Sequence, residues 1–400
     1  MGWEFVKLGD LVHRKIGYGI VQPGANVDVG VPVIKVNNII SGLSNIELLE
    51  KTTTDIDARY TRTRLVGGEL VISLVGSVGK TAIVPKTFAG CNLVRATGLI
   101  DIKDEILAKW VKYYIDSPQG QAYINSNVNT TVQVTLNIKS LSDMPIPLPD
   151  HAIREKIVAI LSSLDDKIEL NRRINANLEQ QAQALYKSWF VDNKKDDWKA
   201  VPLSEVADFV GGYSYKGNEL VESSMTAMAT IKNFERKGGF KVDGFKDIVA
   251  SNKLKAEHHA NLFDILVAHT DLTQNADVIG NAEMLLTFDK YSDIIFSMDL
   301  VKVLPKQTFP YKYLLAALLK NPHFKKHCMG YVNGTTVLHM SKKALPEYVI
   351  NLPSAEEIQS MDNAFKAYYL KMAEILQENN NLFTLRDTLL PKLMSGEITV

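Results

Sequence analysis

The sequence has little cysteine and no apolar run long enough to cross a bilayer. Its two cysteines, Cys91 and Cys328, are far apart, and no basic start followed by an apolar core opens the chain. The expected location is therefore the reducing cytoplasm, with both thiols as small buried apolar groups. The longest apolar runs, such as VISLV at 71–75, are far below the roughly 20 residues that a membrane-spanning helix needs. Membrane spanning is excluded.

The chain also lacks an excess of charge of either sign. Lysine and arginine together number 45, and aspartate and glutamate together number 45. Net charge therefore favours neither nucleic acid nor an anionic membrane as a partner, and any DNA-binding face must be a local arrangement of charge. The apolar content of 46% and the charged content of 22% are those of a folded soluble chain. A length of 400 residues allows two or three domains, each with its own core.

One segment resembles a phosphate-binding loop but departs from its pattern. In LVGSVGKT at 74–81, the ending Gly79, Lys80 and Thr81 matches the motif. The pattern also requires glycine where this chain has Leu74, and Gly76 is misplaced. The segment is better explained as a turn between strands whose lysine could meet a phosphate backbone.

Other catalytic and metal-binding patterns are incomplete. His323, His327 and Cys328 have a spacing that could offer zinc ligands from one helix, but no second cluster completes the set, and a basic helix end explains them. The fragment DIK at 101–103 lacks the upstream acidic partner of a nuclease site. The sequence contains neither a Gly-x-Ser-x-Gly elbow nor the Asp-Pro-Pro-Tyr box of an amino methyltransferase. These absences favour a binding role without a metal site.

The chain contains an internal repeat. An offset of 204 positions (353 − 149 = 204) superimposes two parts of the sequence without a gap, and the register continues through a long charged segment. The pairs include Asn129 with Asn333, Thr131 with Thr335, Leu141 with Leu345, Ile146 with Ile350 and Pro149 with Pro353. A duplicated unit of about 200 residues predicts a molecule with pseudo-twofold symmetry.

Each copy begins as a mixed α/β globule. Trp3 with Leu8 and Trp198 with Leu203 open the two copies. Short runs rich in valine and isoleucine predict strands, and ILAKWVKYYIDS and YKYLLAALLKN predict helices at matching places. The predicted strands are VPVIKV, GELVISLV and KTAIVP in the first copy, and MATIKNF, FDILVAH and IIFSMDLVKVL in the second.

Each globule is followed by a long helical segment. After proline-rich exits, residues 153–190 and 356–394 contain neither proline nor glycine until Pro391. Residues four and three apart form a heptad seam in each segment. The predicted seam consists of Ile157, Leu161, Leu164, Ile168, Asn175, Leu178 and Leu185 in the first segment and of Met361, Phe365, Tyr368, Met372, Asn379, Leu382 and Leu389 in the second.

The two seams are expected to pack against each other. Roughly 38 residues at about 1.5 Å each make rods of about 55 Å, longer than one globule can cover. The alternative is that each helix is amphipathic and packs only on its own globule. Under pseudo-twofold symmetry the paired helices run antiparallel, and the equivalent Asn175 and Asn379 would fix their register. The predicted fold class is therefore α+β, with α/β globules at 1–150 and 194–353 and helices at 151–193 and 354–400, the last including the C-terminal tail.

Polar, basic and aromatic residues recur at similar points of the two globules, in the parts that are not helical. Asparagine can pair with adenine and lysine or arginine with guanine, whereas threonine and lysine can hold phosphates. Turn chemistry explains many of the asparagines equally well. The candidate DNA-binding residues are Arg14, Lys15, Tyr18, Lys35, Asn37, Asn38, Lys80, Arg95, Thr130, Thr131, Tyr213, Tyr215, Lys216, Lys232, Asn233, Arg236, Lys237, Asn333, Thr335 and Thr336.

Two helix ends carry a family resemblance. ALYKSWFVD at 184–192 and LRDTLLPKLMSGEITV at 385–400 resemble the helix ends of the specificity subunit of type I restriction-modification enzymes. The opening WEFVKLGDL, the GGELVIS strand and the exit IPLPDHAIREKI are similar to that family as well. The resemblance covers the whole chain in the order target-recognition domain, spacer helix, target-recognition domain, spacer helix.

The resemblance implies a non-catalytic protein that recognises double-stranded DNA. Each recognition domain would read one half of a bipartite site, and the paired helices would set the spacer and seat two modification (methyltransferase) subunits and the restriction (motor-nuclease) subunits. The chain itself would bind no cofactor, because S-adenosylmethionine and ATP are used by the partner subunits. A rod of about 55 Å spans at most roughly 16 base pairs at about 3.4 Å each. The alternative is an adaptor whose globules bind proteins, which the neutral net charge favours.

Overall fold

The structure is a computed structural model that describes residues 3–43, 45–129 and 133–400. It divides into two compact units. Unit 1 contains Met1–Asp166 and Phe383–Val400, and unit 2 contains Lys167–Leu382. The boundaries predicted at 150, 193 and 353 fall close to the ends of the long helices, whereas the compact units divide each long helix between them.

Unit 1 contains a mixed globule and parts of both long helices. Its strands are β1 (Glu4–Lys7), β2 (Arg14–Tyr18), β3 (Val31–Ile34), β4 (Lys51–Thr52), β5 (Leu70–Ser73), β6 (Thr81–Ile83), β7 (Asn92–Leu93), β8 (Thr97–Asp101), β9 (Val128–Asn129), β10 (Thr135–Leu136) and β11 (Pro145–Leu148). Its shorter helices are α1 (Leu8–Leu11), α2 (Val36–Ser41), α3 (Thr54–Asp57), α4 (Glu105–Asp116), α5 (Pro118–Asn127) and α6 (Ile138–Ser142).

The strands of unit 1 form small sheets around a central one. The central sheet has the antiparallel order β2-β8-β5-β6, and β4-β3-β7 lies in a second sheet in which β3 and β7 are parallel. The pairs β1-β11 and β9-β10 are antiparallel. Strand β5, with the sequence LVIS, is buried along its whole length, as expected for an apolar run inside a sheet.

The long helix α7 (His151–Lys187, 37 residues) follows β11 and continues into a π-helical turn, Ser188–Asp192. Unit 2 then has the strands β12 (Lys199–Pro202), β13 (Ala207–Gly211), β14 (Thr226–Ala229), β15 (Lys246–Asp247), β16 (Ile265–Ala268), β17 (Thr270–Asp271), β18 (Ala282–Met284), β19 (Asp293–Phe296), β20 (Leu300–Pro305), β21 (Val332–Asn333), β22 (Leu338–Met340) and β23 (Val349–Leu352). Its remaining helices are α8 (Lys312–Leu319), α9 (Pro322–Met329), α10 (Ala344–Glu347) and the long helix α11 (Ala355–Met394, 40 residues).

The sheets of unit 2 repeat those of unit 1. The order β13-β20-β16-β18 corresponds to β2-β8-β5-β6, and β15-β14-β19, with β14 and β19 parallel, corresponds to β4-β3-β7. The pair β12-β23 corresponds to β1-β11, and β21-β22 corresponds to β9-β10. The predicted internal repeat and the α+β fold class are confirmed. The helices α4 and α8 and four of the predicted strands lie where the sequence patterns placed them. MATIKNF instead runs from β14 into a 3₁₀ turn at Ile231–Asn233, and IIFSMDLVKVL contains two strands, β19 and β20.

In unit 1, the first part of α7 packs with the end of α11 in the core of the globule. That core also contains Trp110 of α4 and Ile146 of β11. An ion pair between Arg386 Nη1 and Asp165 Oδ1, at 3.1 Å, joins the two helices. The buried helix residues are Ile157, Val158, Leu161, Leu390, Leu393 and Met394.

In unit 2, the rest of α7 packs with the first part of α11. Leu178 and Leu185 contact the core that contains Phe365 and Met372, and Trp189 meets Phe365 edge to face with ring centres 5.7 Å apart. Residues later in α7 contact residues earlier in α11: Asn171 meets Asn379, whereas Asn175 meets Met372. The helices are therefore antiparallel in each unit, as predicted. Every residue of the predicted seam is buried or half-buried. Independent packing of each helix on its own globule is excluded for both units.

The two equivalent asparagines of the seam have different partners. The side chain of Asn379 accepts a hydrogen bond from Asn171 Nδ2 at 2.9 Å, and Asn171 also donates to Glu378 at 2.8 Å. Asn175 instead donates to the main-chain oxygen of Met372 at 3.3 Å. The equivalence of Asn175 and Asn379 in the repeat does not make them partners, because antiparallel pairing places a residue one turn earlier opposite Asn379.

Both cysteines are buried, as predicted, and neither forms a disulfide. Burial raises the pKa of Cys91 to about 11 and that of Cys328 to about 12, so both thiols are neutral near pH 7. Among the described residues, no helix is both long and apolar enough to span a membrane.

Replacing the buried asparagine pair should separate its contribution to stability from its contribution to pairing. We expect Asn379→Leu alone to lower the free energy of unfolding by about 1–3 kcal/mol, because the amide of Asn171 loses a buried partner. The double variant N171L/N379L should regain that loss, since two apolar residues then face each other. Urea unfolding followed by circular dichroism measures both effects, and Asn177→Leu, at an exposed position of α7, is the control. Equal losses in the single and double variants would contradict a direct partnership.

Candidate nucleic-acid interface

A basic surface lies on one side of the unit 1 globule. Arg14 at the start of β2 is held by Asp101 and donates through Nη1 to the main-chain oxygen of Arg62 at 3.3 Å. Arg59 and Arg62 are exposed on the short helical segment Ala58–Thr63. The sequence RYTRTR at 59–64 signals this surface, but Arg59 and Arg62 are absent from the predicted set.

Buried polar residues hold this arginine segment in place. Asn92 donates to Asp57 at 2.7 Å and to the main-chain oxygen of Tyr60 at 3.1 Å, and Thr63 donates to Asn92 at 2.7 Å. Arg64 pairs with Asp57. These buried hydrogen bonds fix the main chain of the segment, so Arg59 and Arg62 extend from an ordered backbone.

Arg95 extends the same surface. It is exposed in the turn between β7 and β8, where its main-chain nitrogen donates to Ile20 at 2.8 Å. Ile20 and Val94 form a small apolar cluster against which Tyr60 packs. The basic surface of unit 1 is therefore defined as Arg14, Arg59, Arg62 and Arg95, and two of these four residues were predicted from the sequence.

Other predicted residues of unit 1 lie at strand ends or at helix starts. Lys15 is exposed on β2, and Tyr18 is 38% exposed at the end of that strand. Lys35 pairs with Glu50, and Asn38 accepts a hydrogen bond from the main chain of Lys35 at 2.8 Å, which caps α2. Asn37 is exposed in the first turn of α2. The predicted Thr130 and Thr131 lie outside the described residues.

A loop between two sheet strands reaches a second hairpin in unit 1. The main-chain nitrogen of Gly76, in the loop between β5 and β6, donates to Val134 at 2.9 Å, and Val75 bridges to Thr135. Ser73 closes the loop by accepting from the main chain of Lys80 at 2.8 Å, and Lys80 itself is exposed. The segment is thus a turn between strands. The surface formed by this loop (residues 74–80) and the adjoining residues Val134 and Thr135 is called the hairpin face of unit 1.

Unit 2 has a hairpin face at the equivalent place, with a longer loop. The loop between β17 and β18 contacts the turn between β21 and β22, where Gln274 donates to the main-chain oxygen of Thr335 at 2.7 Å. Leu272 is 67% exposed on this loop. The predicted Asn333, Thr335 and Thr336 are exposed on the turn. The two units therefore share a sheet frame but differ in the loops at this face.

Two predicted contacts in unit 2 are corrected by their burial. Tyr213 is 1% exposed, and its hydroxyl donates to Glu219 at 2.6 Å, which helps to lower the pKa of that carboxyl to about 2. Asn233 is fully buried, accepts from the main chain of Thr230 at 2.8 Å and donates to the main-chain oxygen of Lys241 at 2.7 Å. Both side chains stabilise the fold, because their polar groups are used inside the domain.

The remaining predicted residues of unit 2 are accessible but dispersed. Tyr215 is half-buried under Lys246, whose Nζ lies 5.7 Å from the ring centre, and Lys216 is exposed next to it. Lys232 is exposed in the 3₁₀ turn Ile231–Asn233, which follows β14. The predicted Arg236 and Lys237 line a cavity against α7 instead of joining the hairpin face.

Side chains of the described residues do not gather into a metal site. Within that part of the chain, no three histidine, cysteine or acidic side chains are grouped so that they could hold an ion. His327 Nε2 is within 2.8 Å of the main-chain oxygen of Ala344, and Cys328 is buried. The basic surface and the hairpin faces present cations and amides, which can bind an anionic polymer.

The comparisons with known proteins agree with the resemblance seen in the sequence. Residues 1–180 match the family described as the type I restriction modification DNA specificity domain. The chain is 26% identical over 219 residues to the Type I restriction enzyme EcoBI specificity subunit of Escherichia coli, covering 52% of this chain and 45% of that protein. It is 27% identical over 335 residues to the HindI specificity subunit of Haemophilus influenzae, covering 68% of this chain and 72% of that protein.

The fold is similar to that of a solved specificity subunit. The crystal structure of the type I restriction-modification system S subunit from M. genitalium aligns with a TM-score of 0.50 and 15% sequence identity, covering 98% of this chain and 96% of that chain. The predicted resemblance to specificity subunits is confirmed by these relatives. In its matched domain, its relatives and its fold, the chain is similar to the specificity subunits of type I restriction-modification enzymes.

Proposed function

We propose that this chain recognises a bipartite DNA sequence, with each unit reading one half-site. The observation that carries the proposal is the repeated sheet frame with different loops at its hairpin face. A shared frame presents its loops in the same way, whereas different loops can read different bases. Two similar domains in one chain suit a target that is itself divided into two parts.

In unit 1 the two candidate surfaces have separate roles under this proposal. The basic surface, with Arg59 and Arg62 held on a buried polar base, contacts phosphates and sets the position of the duplex. The hairpin face, with Lys80 and the neighbouring main chain, contacts base edges. In unit 2 the longer loop around Leu272 and the turn at Asn333 have the second role.

The paired helices set the spacer between the half-sites and seat the other subunits under the same proposal. Two modification subunits and the restriction subunits would supply methylation and cleavage, using S-adenosylmethionine and ATP, and this chain would bind neither cofactor for those reactions. A cytoplasmic location follows from the proposed DNA target and partner subunits. The balance of charges implies weak, salt-sensitive binding by the isolated chain, with partners providing much of the DNA clamp.

Removing two arginines from the basic surface should weaken DNA binding without changing the recognised sequence. Each phosphate contact contributes a slope of about 0.9 to the dependence of log affinity on log salt, so R59A/R62A should reduce that slope by about two. Fluorescence anisotropy with the modification subunits present, across several salt concentrations, measures it. The control K194A/K199A removes two exposed cations outside this surface. An unchanged slope would refute the phosphate contacts, and absence of any sequence-specific binding would favour the adaptor alternative.

Exchanging one globule should change one half-site only. Replacing residues 11–140 with those of another family member keeps β1, β11 and the helices, so the frame on which the globule packs is retained. Methylome sequencing of cells that carry the chimera should show one new half-site at an unchanged spacing. The matched exchange of residues 207–343 should alter the other half. Changes in both halves from either exchange would argue against separate readers.

Lengthening both helices should lengthen the spacer. Seven residues inserted after Arg173 and seven after Leu376 preserve the heptad seam and add about 10 Å, or about three base pairs. Methylated sites in cells that carry this variant should keep both half-sequences and separate them further. As a control, seven residues inserted after Asp196, in the exposed segment that follows α7, should leave the spacing unchanged. Unchanged spacing in the helix variant would exclude the helices as the ruler.

A further inference from the structure

Unit 2 contains a cavity between the last turns of α7 and its globule. The cavity has a volume of about 690 Å³. Gln183 and Lys187 of α7 form one wall, and the turn that contains Arg236 and Lys237 and the start of α9 with Lys325 form the others. This volume lies in the range of small-molecule sites, which is roughly 300–1,000 Å³.

Positive charge dominates the cavity. Among the described residues that line it, five are cationic and Glu283 is the sole carboxylate. Asp277, just outside the lining, pairs with Arg236 at 3.6 Å. Glu283 is already bound by Lys320 Nζ at 2.5 Å and by the main-chain nitrogen of Gly239 at 2.6 Å. Lys187 and Lys237 form no ion pair within the described part of the chain. These two ammonium groups are therefore free to bind an anion.

The walls are held together by a buried ion cluster. Lys320 pairs with Glu283 of β18 and with Glu179 of α7, so a single ammonium group ties the helix wall to the globule wall. Burial opposes the charged form of Lys320, but the two carboxylates outweigh it and the pKa of Lys320 is raised. The cavity is thus formed before any ligand enters, which lowers the entropic penalty of binding.

The cavity is too large and too apolar for an inorganic anion alone. Ala184, Tyr186, Val191 and Leu319 line it and offer a surface for a planar ring. The amide of Asn281 donates to the main-chain oxygen of Glu235 at 2.7 Å, which orients its oxygen as an acceptor. A ligand that combines a ring with several negative charges matches both parts. A DNA duplex is too wide to enter a cavity of this volume.

We propose that this cavity binds a nucleoside polyphosphate, with the phosphates on Lys187 and Lys237 and the base against the apolar wall. The binding site belongs to this chain itself and is separate from the cofactor use of any partner subunit. It does not depend on the proposed reading of DNA, because none of the hairpin-face residues contributes to it.

Isothermal titration calorimetry of the full chain tests the proposal with three probes. ATP should bind, inorganic tripolyphosphate should bind more weakly, and adenosine should bind weakest, because each probe retains only part of the complementary chemistry. The variant K187Q/K237Q should weaken ATP binding at least tenfold, since both ammonium groups are exposed and lie outside the fold's own ion pairs. K194Q/K199Q is the matched control and should bind ATP like the unmodified chain.

Three results would contradict the proposed nucleotide site. Absence of ATP binding at millimolar concentration, or equal ATP affinity in K187Q/K237Q and the unmodified chain at an unchanged melting temperature, rejects the site. The third is that a short DNA duplex or an acidic peptide displaces ATP from the unmodified chain but fails to bind K187Q/K237Q. That result would assign Lys187 and Lys237 to a macromolecular partner instead. The proposed reading of DNA half-sites is tested separately by methylome sequencing, and its outcome does not depend on these titrations.

Discussion

The structure depends on the antiparallel pairing of two long helices within each unit. Neither globule encloses its core by itself. In unit 1 the core of the sheet continues onto Leu161 of α7 and Leu393 of α11, and in unit 2 it continues onto Phe365 of α11 and Ala182 of α7. Each globule is therefore built on a pair of helix segments, so its position along the helices is determined by core packing rather than by a flexible link.

Polar residues in the seam make this pairing selective. Asn171 with Asn379 and Asp165 with Arg386 are satisfied only in the observed register, because a shift along the helix would leave an amide or a charge without a partner. Apolar residues alone tolerate such shifts more easily. Tyr113 also donates to Asp165 at 2.9 Å, so the same carboxylate ties α4 of the globule to the helix pair.

The repeated sheet frame explains how two similar units can carry different loops. Strands β5 and β16 are buried throughout and occupy equivalent places in the central sheets, which restricts their sequences to apolar residues. The loops that leave these strands are not restricted in this way. Their lengths differ between the units, from a tight turn closed by Ser73 to a longer excursion through Leu272. Variation at the hairpin face is thus compatible with one fold.

The sequence by itself determined the features that depend on short-range patterns. The duplication, the strands, the heptad seams and the antiparallel arrangement followed from apolar periodicity and from the internal repeat, both of which act between neighbouring residues or equivalent positions. The family resemblance followed from the helix ends. The basic surface was found only in part, because Arg59 and Arg62 become relevant once Asp57 and Asn92 hold their segment.

Only the tertiary structure decided which polar side chains face outward and which partners they meet. Tyr213 and Asn233 have the residue types of DNA contacts, yet strands and loops distant in sequence enclose them. The cluster of Glu179, Glu283 and Lys320 joins residues that lie more than 35 positions apart along the chain. Burial and long-range pairing depend on how whole elements pack, and local residue patterns do not contain that information.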